Sequence, residues 1–260
     1  MDIEFRKKAE EFVSSLPYKQ SPYGNRNWGH PWHSLCSYHG KLKPAIAHWL
    51  ISEFTSKGDV VLDPLCGVGT IPFEACLQGR IGIGNDLSEL AYVVTKAKLE
   101  KPNCREVEDV IRNLDKYIAE NKDRHSITEY ENFGFNGKLP QYFEKETYKE
   151  ILCARDFFLN RVSTISTEEA MVFSVFLHVL HGNRPYALSR RSHPLTPYAP
   201  TGEFEYKNVV EKIVQKVNAS YKKLDQSEIT QGLAVYGDYK DLVLKNIRAD
   251  FIICSPPFAD

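Results

Sequence analysis

The strongest constraint in this sequence is an ordered succession of short signals between residues 59 and 99. Asp59-Val60-Val61-Leu62-Asp63 is a β-branched run that ends in an acidic residue and a glycine turn, Pro64-Leu65-Cys66-Gly67-Val68-Gly69. Helix-compatible sequence follows through Ala75 and Leu77. A second run, Ile81-Gly82-Ile83-Gly84, then closes on Asn85-Asp86, and Ser88 can cap a further helix towards Leu99. Strand, glycine turn, helix, strand is the opening of a parallel α/β sheet.

The flanking sequence extends this reading. Phe5, Ala9, Phe12, Val13 and Leu16 recur at helical spacing. A loop rich in Pro, Gly, Asn and aromatics covers residues 17–40, and an amphipathic helix is expected over 44–54 with Ile46, Trp49 and Leu50 as its buried stripe. From about residue 104 to 231 the signals are mostly helical. Ser166-Thr167-Glu168-Glu169 is a capping-box pattern, and Val209, Ile213 and Val217 mark one face of a later helix. A Pro- and Arg-rich loop lies between them at 182–202. The β texture returns at Leu233-Ala234-Val235-Tyr236, before Gly237-Asp238, and at Asp250-Phe251-Ile252-Ile253-Cys254, before Ser255-Pro256-Pro257-Phe258. The expected organisation is one α/β domain with a helical insertion: core over 1–103, insertion over 104–231, core again over 232–260.

Composition narrows the function classes. In 260 residues, 33 basic side chains face 34 acidic ones, a net charge of −1, which excludes a strongly basic nucleic-acid-coating protein but not a local basic patch. No apolar run is long enough to cross a bilayer, the N-terminus has no signal-peptide pattern, and six scattered cysteines read as reduced thiols. A cytoplasmic protein without a membrane partner is the expectation.

The strand–turn–helix unit reads as a nucleotide-type crevice, because glycines admit a ligand to the backbone and a helix N-terminus offers free N–H groups. Asp63 and Asp86 fall at the carboxyl ends of the two strands, 23 positions apart. An acidic residue about 20 positions on takes ribose hydroxyls in dinucleotide folds. The turn is neither G-x-G-x-x-G nor a P-loop, and two carboxylates repel phosphate while suiting a cationic, ribose-bearing ligand. Ser-Pro-Pro-Phe adds a rigid bend at a strand end, where the Ser255 hydroxyl and the Pro256 carbonyl can accept amine hydrogens and Phe258 can stack on a planar ring.

Asp-Pro-Leu-Cys-Gly-Val-Gly-Thr at 63–70, together with Ser-Pro-Pro-Phe at 255–258, resembles the S-adenosylmethionine-dependent amino-methyltransferases, above all the DNA enzymes acting on cytosine N4. His39-Gly40-Lys41-Leu42-Lys43-Pro44, followed by a helix, is similar to the family's N-terminal cofactor motif. The resemblance covers about residues 34–100 and 233–260 and implies a Rossmann-like class I methyltransferase sheet with S-adenosylmethionine as cofactor. It places Lys41, Pro44, Asp63, Pro64, Cys66, Gly67, Gly69, Thr70, Asp86, Leu87 and Asp238 along the cofactor site, and Ser255, Pro256, Pro257 and Phe258 around a flipped target base. Hydrogen bonds from the exocyclic amine would localise its lone pair towards the methyl sulfonium.

The resemblance also puts the strand before Ser-Pro-Pro-Phe in the middle of the sheet, so the sheet is expected to be incomplete at its C-terminal side. Either the chain is a fragment of a longer protein or a second polypeptide supplies the missing half, and the chain alone would be inactive. DNA is the expected partner, as in a restriction-modification system, with Arg184, Tyr186, Arg190, Arg191 and His193 as candidate phosphate contacts. Adenine-N6 specificity is a close variant. A tRNA guanine-N2 methyltransferase shares the Asp-Pro-x-Cys-Gly-x-Gly-Thr turn, and a non-catalytic binding subunit is the reading from another class.

Several residues carry bland readings beside these. Asp63 alone could cap a helix, and Gly237-Asp238 could be only a turn. Cys66 and Cys254 read as small apolar fillers. His30, His33, Cys36 and His39 recur every third residue but lack the paired spacing of a zinc module, so no metal is assigned. His178 and His181 read as core or capping histidines.

Overall fold

A computed structural model describes residues 3–25, 28–38, 40–133, 137–159, 161–180, 202–222, 229–244 and 247–256. The chain divides into two compact units. The first comprises residues 1–34, 40–100 and 225–260, and the second residues 35–39 and 101–224.

The first unit holds a parallel sheet. Strand β1 (Val60–Asp63), β2 (Ile81–Asp86), β3 (Leu233–Tyr236) and β4 (Phe251–Ile252) lie in the order β3-β2-β1-β4. All three pairings are parallel, the arrangement of a Rossmann-like sheet. Val60 pairs with Ile81 and Asp63 with Gly84, so β2 overhangs β1 by Asn85 and Asp86 at the carboxyl edge. Leu62 pairs with Ile252, and the start of β1 is fixed by Asp250, whose carboxylate and N–H both bond Val60 at 2.9 Å. The resemblance puts the Ser-Pro-Pro strand mid-sheet; among the described residues β4 is an edge strand, and its Ile252 is 68% exposed.

Helix α1 (Ile3–Ser15) presents Phe5 and Phe12 to Phe54, with ring centroids 5.6 and 5.2 Å away. Helix α2 (Pro44–Phe54) starts with a proline at its first position, where the missing N–H costs nothing. Its buried residues are Ala45, Ala47 and Ile51, whereas Ile46, Trp49 and Leu50 are only half-buried. The expected stripe is therefore rotated: small alanines let α2 approach α3 (Thr70–Leu77) closely. Ala47 and Ile51 pack with Val61, Ile71 and Ala75, and Leu42 and Ile253 cover the cluster. Helix α4 (Glu89–Leu99) is capped by Ser88, whose hydroxyl accepts the Ala91 N–H.

The second unit is helical among its described residues. It contains α5 (Cys104–Asn121), α6 (Lys145–Phe158), α7 (Thr167–Val179) and α8 (Val209–Tyr221). Val107, Ile111, Leu114 and Ile118 bury one face of α5 at i, i+4, i+7, i+11 spacing. Ser166 and Glu169 close the capping box of α7, and Phe158 stacks on Phe173 at 4.6 Å. Buried Glu150 accepts the Val209 N–H and the Tyr206 hydroxyl, which ties α6 to the start of α8. No helix among the described residues is long and apolar enough to cross a membrane.

Candidate functional site

The carboxyl edge of the sheet gathers the acidic strand ends and the glycine turn. Asp63 is 2% exposed, and its carboxylate accepts a single N–H, from Leu65 at 3.2 Å. Burial pushes its carboxyl up to about 7; the Leu65 bond opposes this and the neighbouring Asp86 adds to it. Asp63 does not cap a helix. The N-cap of α3 is Gly69, in the left-handed region at φ 68°, with Gly67 at φ 52° two residues before it. A Cβ on Gly69 would meet Thr95 Oγ1 at 2.7 Å, so glycine is required there for both backbone and space.

The overhang of β2 organises the turn. Asp86 Oδ2 accepts the Gly67 N–H at 2.8 Å and Oδ1 the Ser88 N–H at 2.9 Å. Each oxygen keeps acceptor capacity for a ligand hydroxyl. Thr95 donates to the Gly67 carbonyl at 3.1 Å, and the wholly buried Lys98 donates to the Val68 carbonyl at 2.5 Å. Burial and nearby Asp63 push the Cys66 thiol far up, so it stays protonated. Thr70 is buried as the first residue of α3, Pro64 is half-buried, and Leu87 is 65% exposed.

The remaining predicted residues fall around this edge or apart from it. Asp238 caps a single turn, with Oδ1 accepting the Lys240 N–H at 3.0 Å, and Gly237 before it bonds the Asp86 carbonyl at 3.1 Å. Ser255 and Pro256 follow β4 and are exposed. The intervening Cys254 is pushed up by partial burial and by the Asp63 carboxylate, which puts the end of β4 within the electrostatic reach of Asp63. Lys41 donates to the His33 carbonyl at 2.6 Å, and Pro44 opens α2. Pro257, Phe258, Arg184, Tyr186, Arg190, Arg191, His193, His39 and His181 lie outside the described residues.

Three features escaped the sequence reading. His33 Nε2 meets Glu74 Oε1 at 2.7 Å with both side chains buried, and His48 Nδ1 meets Glu74 Oε2 at 3.3 Å. Burial alone would raise Glu74, but the bonds from His33 and His48 outweigh it and hold the carboxyl down at about 2. Burial pushes His33 below its ordinary value, so a neutral ring donates from Nε2, and its unprotonated Nδ1 is buried without a partner. Burial likewise lowers His30 to about 4, and its Nδ1 accepts the Trp32 N–H. The second feature is buried Lys98, and the third is Asn85, 1% exposed, between the two turns. Among the described residues no cluster of three or more His, Cys, Asp or Glu could hold a metal ion.

Residues 31–132 match the UPF0020 family model, described as "RMKL-like, methyltransferase domain". A stretch of 82 residues is 24% identical to "Type II methyltransferase M.MjaII" of Methanocaldococcus jannaschii; it covers 32% of this chain and 16% of that protein. No solved structure matches. The parallel sheet with a glycine turn between two acidic strand ends is a Rossmann-like fold, and residues 31–132 are similar to a methyltransferase domain, a class whose methyl donor is S-adenosylmethionine. The site fits this donor: a buried, singly bonded carboxylate favours a cationic ligand, and Asp86 retains acceptors for ribose hydroxyls.

Proposed function

We propose that this chain forms the cofactor-binding part of a site-specific DNA methyltransferase acting on the exocyclic N4 of cytosine. One observation carries the reading: the strand leading into Ser255-Pro256 is hydrogen-bonded in parallel to the strand that ends in Asp63. A hydroxyl and a carbonyl able to orient an amine thus leave the sheet beside the carboxylate suited to the methyl donor. The type II methyltransferase similarity supports a DNA substrate.

Asp63 and Asp86 would hold the cofactor through its cationic and ribose groups, together with Gly67, Gly69, Thr70 and Asp238. The cofactor supplies an electrophilic methyl group on a sulfonium. Ser255 and the Pro256 carbonyl would accept the amine hydrogens and keep the nitrogen lone pair aimed out of the ring plane, while Pro257 and Phe258 would wall the base. The exposed outer edge of β4 supports a second polypeptide or segment pairing there, since an unpaired apolar edge otherwise invites aggregation. Arg184, Tyr186, Arg190, Arg191 and His193 remain the proposed phosphate contacts.

An RNA amino-methyltransferase is the second reading, because the family matching residues 31–132 accommodates it. Incubation with methyl-labelled cofactor and either unmethylated DNA or RNA, followed by digestion to nucleosides and mass identification, separates the two. The chain is assayed alone and with the polypeptide encoded immediately downstream of it. N4-methylcytosine is the expected product, formed only with the added polypeptide. Label in guanine of RNA would replace the reading, and cofactor binding without any transfer would favour a non-catalytic subunit.

A further inference from the structure

Asn85 is 1% exposed at the point where β2 overhangs β1. Its Nδ2 donates to the Pro64 carbonyl at 3.1 Å and to the Gly237 carbonyl at 3.1 Å. Both neighbours are acceptors, which fixes the amide orientation. The main chain repeats the bridge: the Cys66 N–H bonds the Asn85 carbonyl at 3.0 Å, and the Gly237 N–H bonds the Asp86 carbonyl at 3.1 Å. Asn85 Oδ1 is buried with no partner. A buried acceptor left unsatisfied costs stability, so this side chain is a poor choice for holding the sheet alone.

We infer that Asn85 is a positioning residue that sets the gap between the Pro64–Gly69 turn and the Gly237–Asp238 turn, and so the width available to the adenosine part of the cofactor. The inference rests on the reading of those two turns as rims of the cofactor site. The geometry favours it over general stabilisation. Beyond Asp63 the β1–β2 ladder ends, and beyond Tyr236 the β2–β3 ladder ends. Past those points, one planar amide with two donors spans both departing loops. No single aliphatic side chain could satisfy the two carbonyls, and a carboxylate would repel them.

The test measures dissociation constants for S-adenosylmethionine and S-adenosylhomocysteine by calorimetry on the full chain, with melting temperatures recorded alongside. The variants are Asn85→Ala, Asn85→Asp and Asn85→Ser, the last keeping one donor. Thr55→Val is the control: it breaks a buried Arg80–Thr55 bond in the same unit, away from the carboxyl edge. Asn85→Ala and Asn85→Asp are expected to weaken both ligands ten- to a hundredfold and Asn85→Ser less, with amide exchange at Cys66 and Gly237 accelerated. Thr55→Val should lower the melting temperature and bind as wild type. Equal affinity in wild type and the Asn85 variants would overturn the inference and leave the cofactor reading intact. A matching loss in Thr55→Val would overturn it too. Failure of the wild type to bind either ligand would remove both.

Discussion

Asp63 and Asp86 end adjacent parallel strands, yet the backbone serves them unequally: Asp86 accepts two N–H groups, at 2.8 and 2.9 Å, and the more deeply buried Asp63 accepts one, at 3.2 Å. The difference makes Asp63 the carboxylate with unspent acceptor capacity in a dry site, where a cationic partner gains most. Its carboxyl, raised to about 7, must ionise before it can hold that partner. Cofactor affinity should therefore fall by about tenfold per pH unit below 7. Calorimetry between pH 5.5 and 7 checks this, with Asp63→Asn expected to abolish binding across the range.

The same carboxyl acts on stability in the opposite sense. Between about pH 4 and 7 the folded chain holds a proton on Asp63 that the unfolded chain has released, so stability declines as pH rises through this window. Asp63→Asn should remove the decline and stabilise the ligand-free chain at pH 8, by at most about 4 kcal/mol. Urea denaturation of both proteins at pH 5 and pH 8 gives the comparison.

His30 and His33 pull the other way. Burial lowers both, so below about pH 6.5 the unfolded chain takes up protons that the folded chain refuses, and stability is lost as pH falls towards 4. In wild type the Asp63 proton masks part of this loss. In the Asp63→Asn background the acid limb should steepen, and adding His30→Phe should flatten it again.

Glu74 links the middle of α3 to the loop before α2 through His33 and to α2 itself through His48. Glu74→Gln keeps the volume but offers a donor where an ionised acceptor stood. A loss of about 1–3 kcal/mol is expected, and Glu74→Leu, which leaves the His33 donor unsatisfied, should lose more. Equilibrium unfolding of the two variants is the check.

Gly69→Ala meets two obstacles, a left-handed φ of 68° and Thr95 Oγ1 at 2.7 Å from the new methyl. Thr95→Ala removes the Oγ1 and Cγ2 contacts but also the bond to the Gly67 carbonyl, so Gly69→Ala measured against Thr95→Ala alone should cost about 1 kcal/mol, from the first. Melting curves of the single and double variants separate the two contributions.

What the sequence revealed was local in origin. The β-branched runs, the glycine turn, the acidic strand ends and the Ser88 and Ser166 caps each depend on neighbours a few positions away, and the α/β class followed from their order. Asn85 gave no such signal, because its partners sit at 64 and 237 and only the parallel register brings them together. Glu74 and His33 are 41 residues apart, and an acid in the apolar stretch of α3 reads as ordinary helix. The stripe of α2 differs from the expected one because spacing marks the large side chains as the inward face. At a close helix–helix contact the inward positions belong to alanine.

Helix α3 lies so close to β2 that a Cβ on Gly82 would fall on the Pro72 carbonyl, and one on Gly84 would come within 2.9 Å of Thr95 and 3.0 Å of Cys66. The Cys66 side chain of the 64–69 turn and Thr95 of α4 thus both press against β2 at Gly84. Packing this close leaves the 64–69 turn little room to shift, whereas the chain leaving β3 and β4, at the two edges of the sheet, exposes Tyr239, Val243 and Ser255 to solvent.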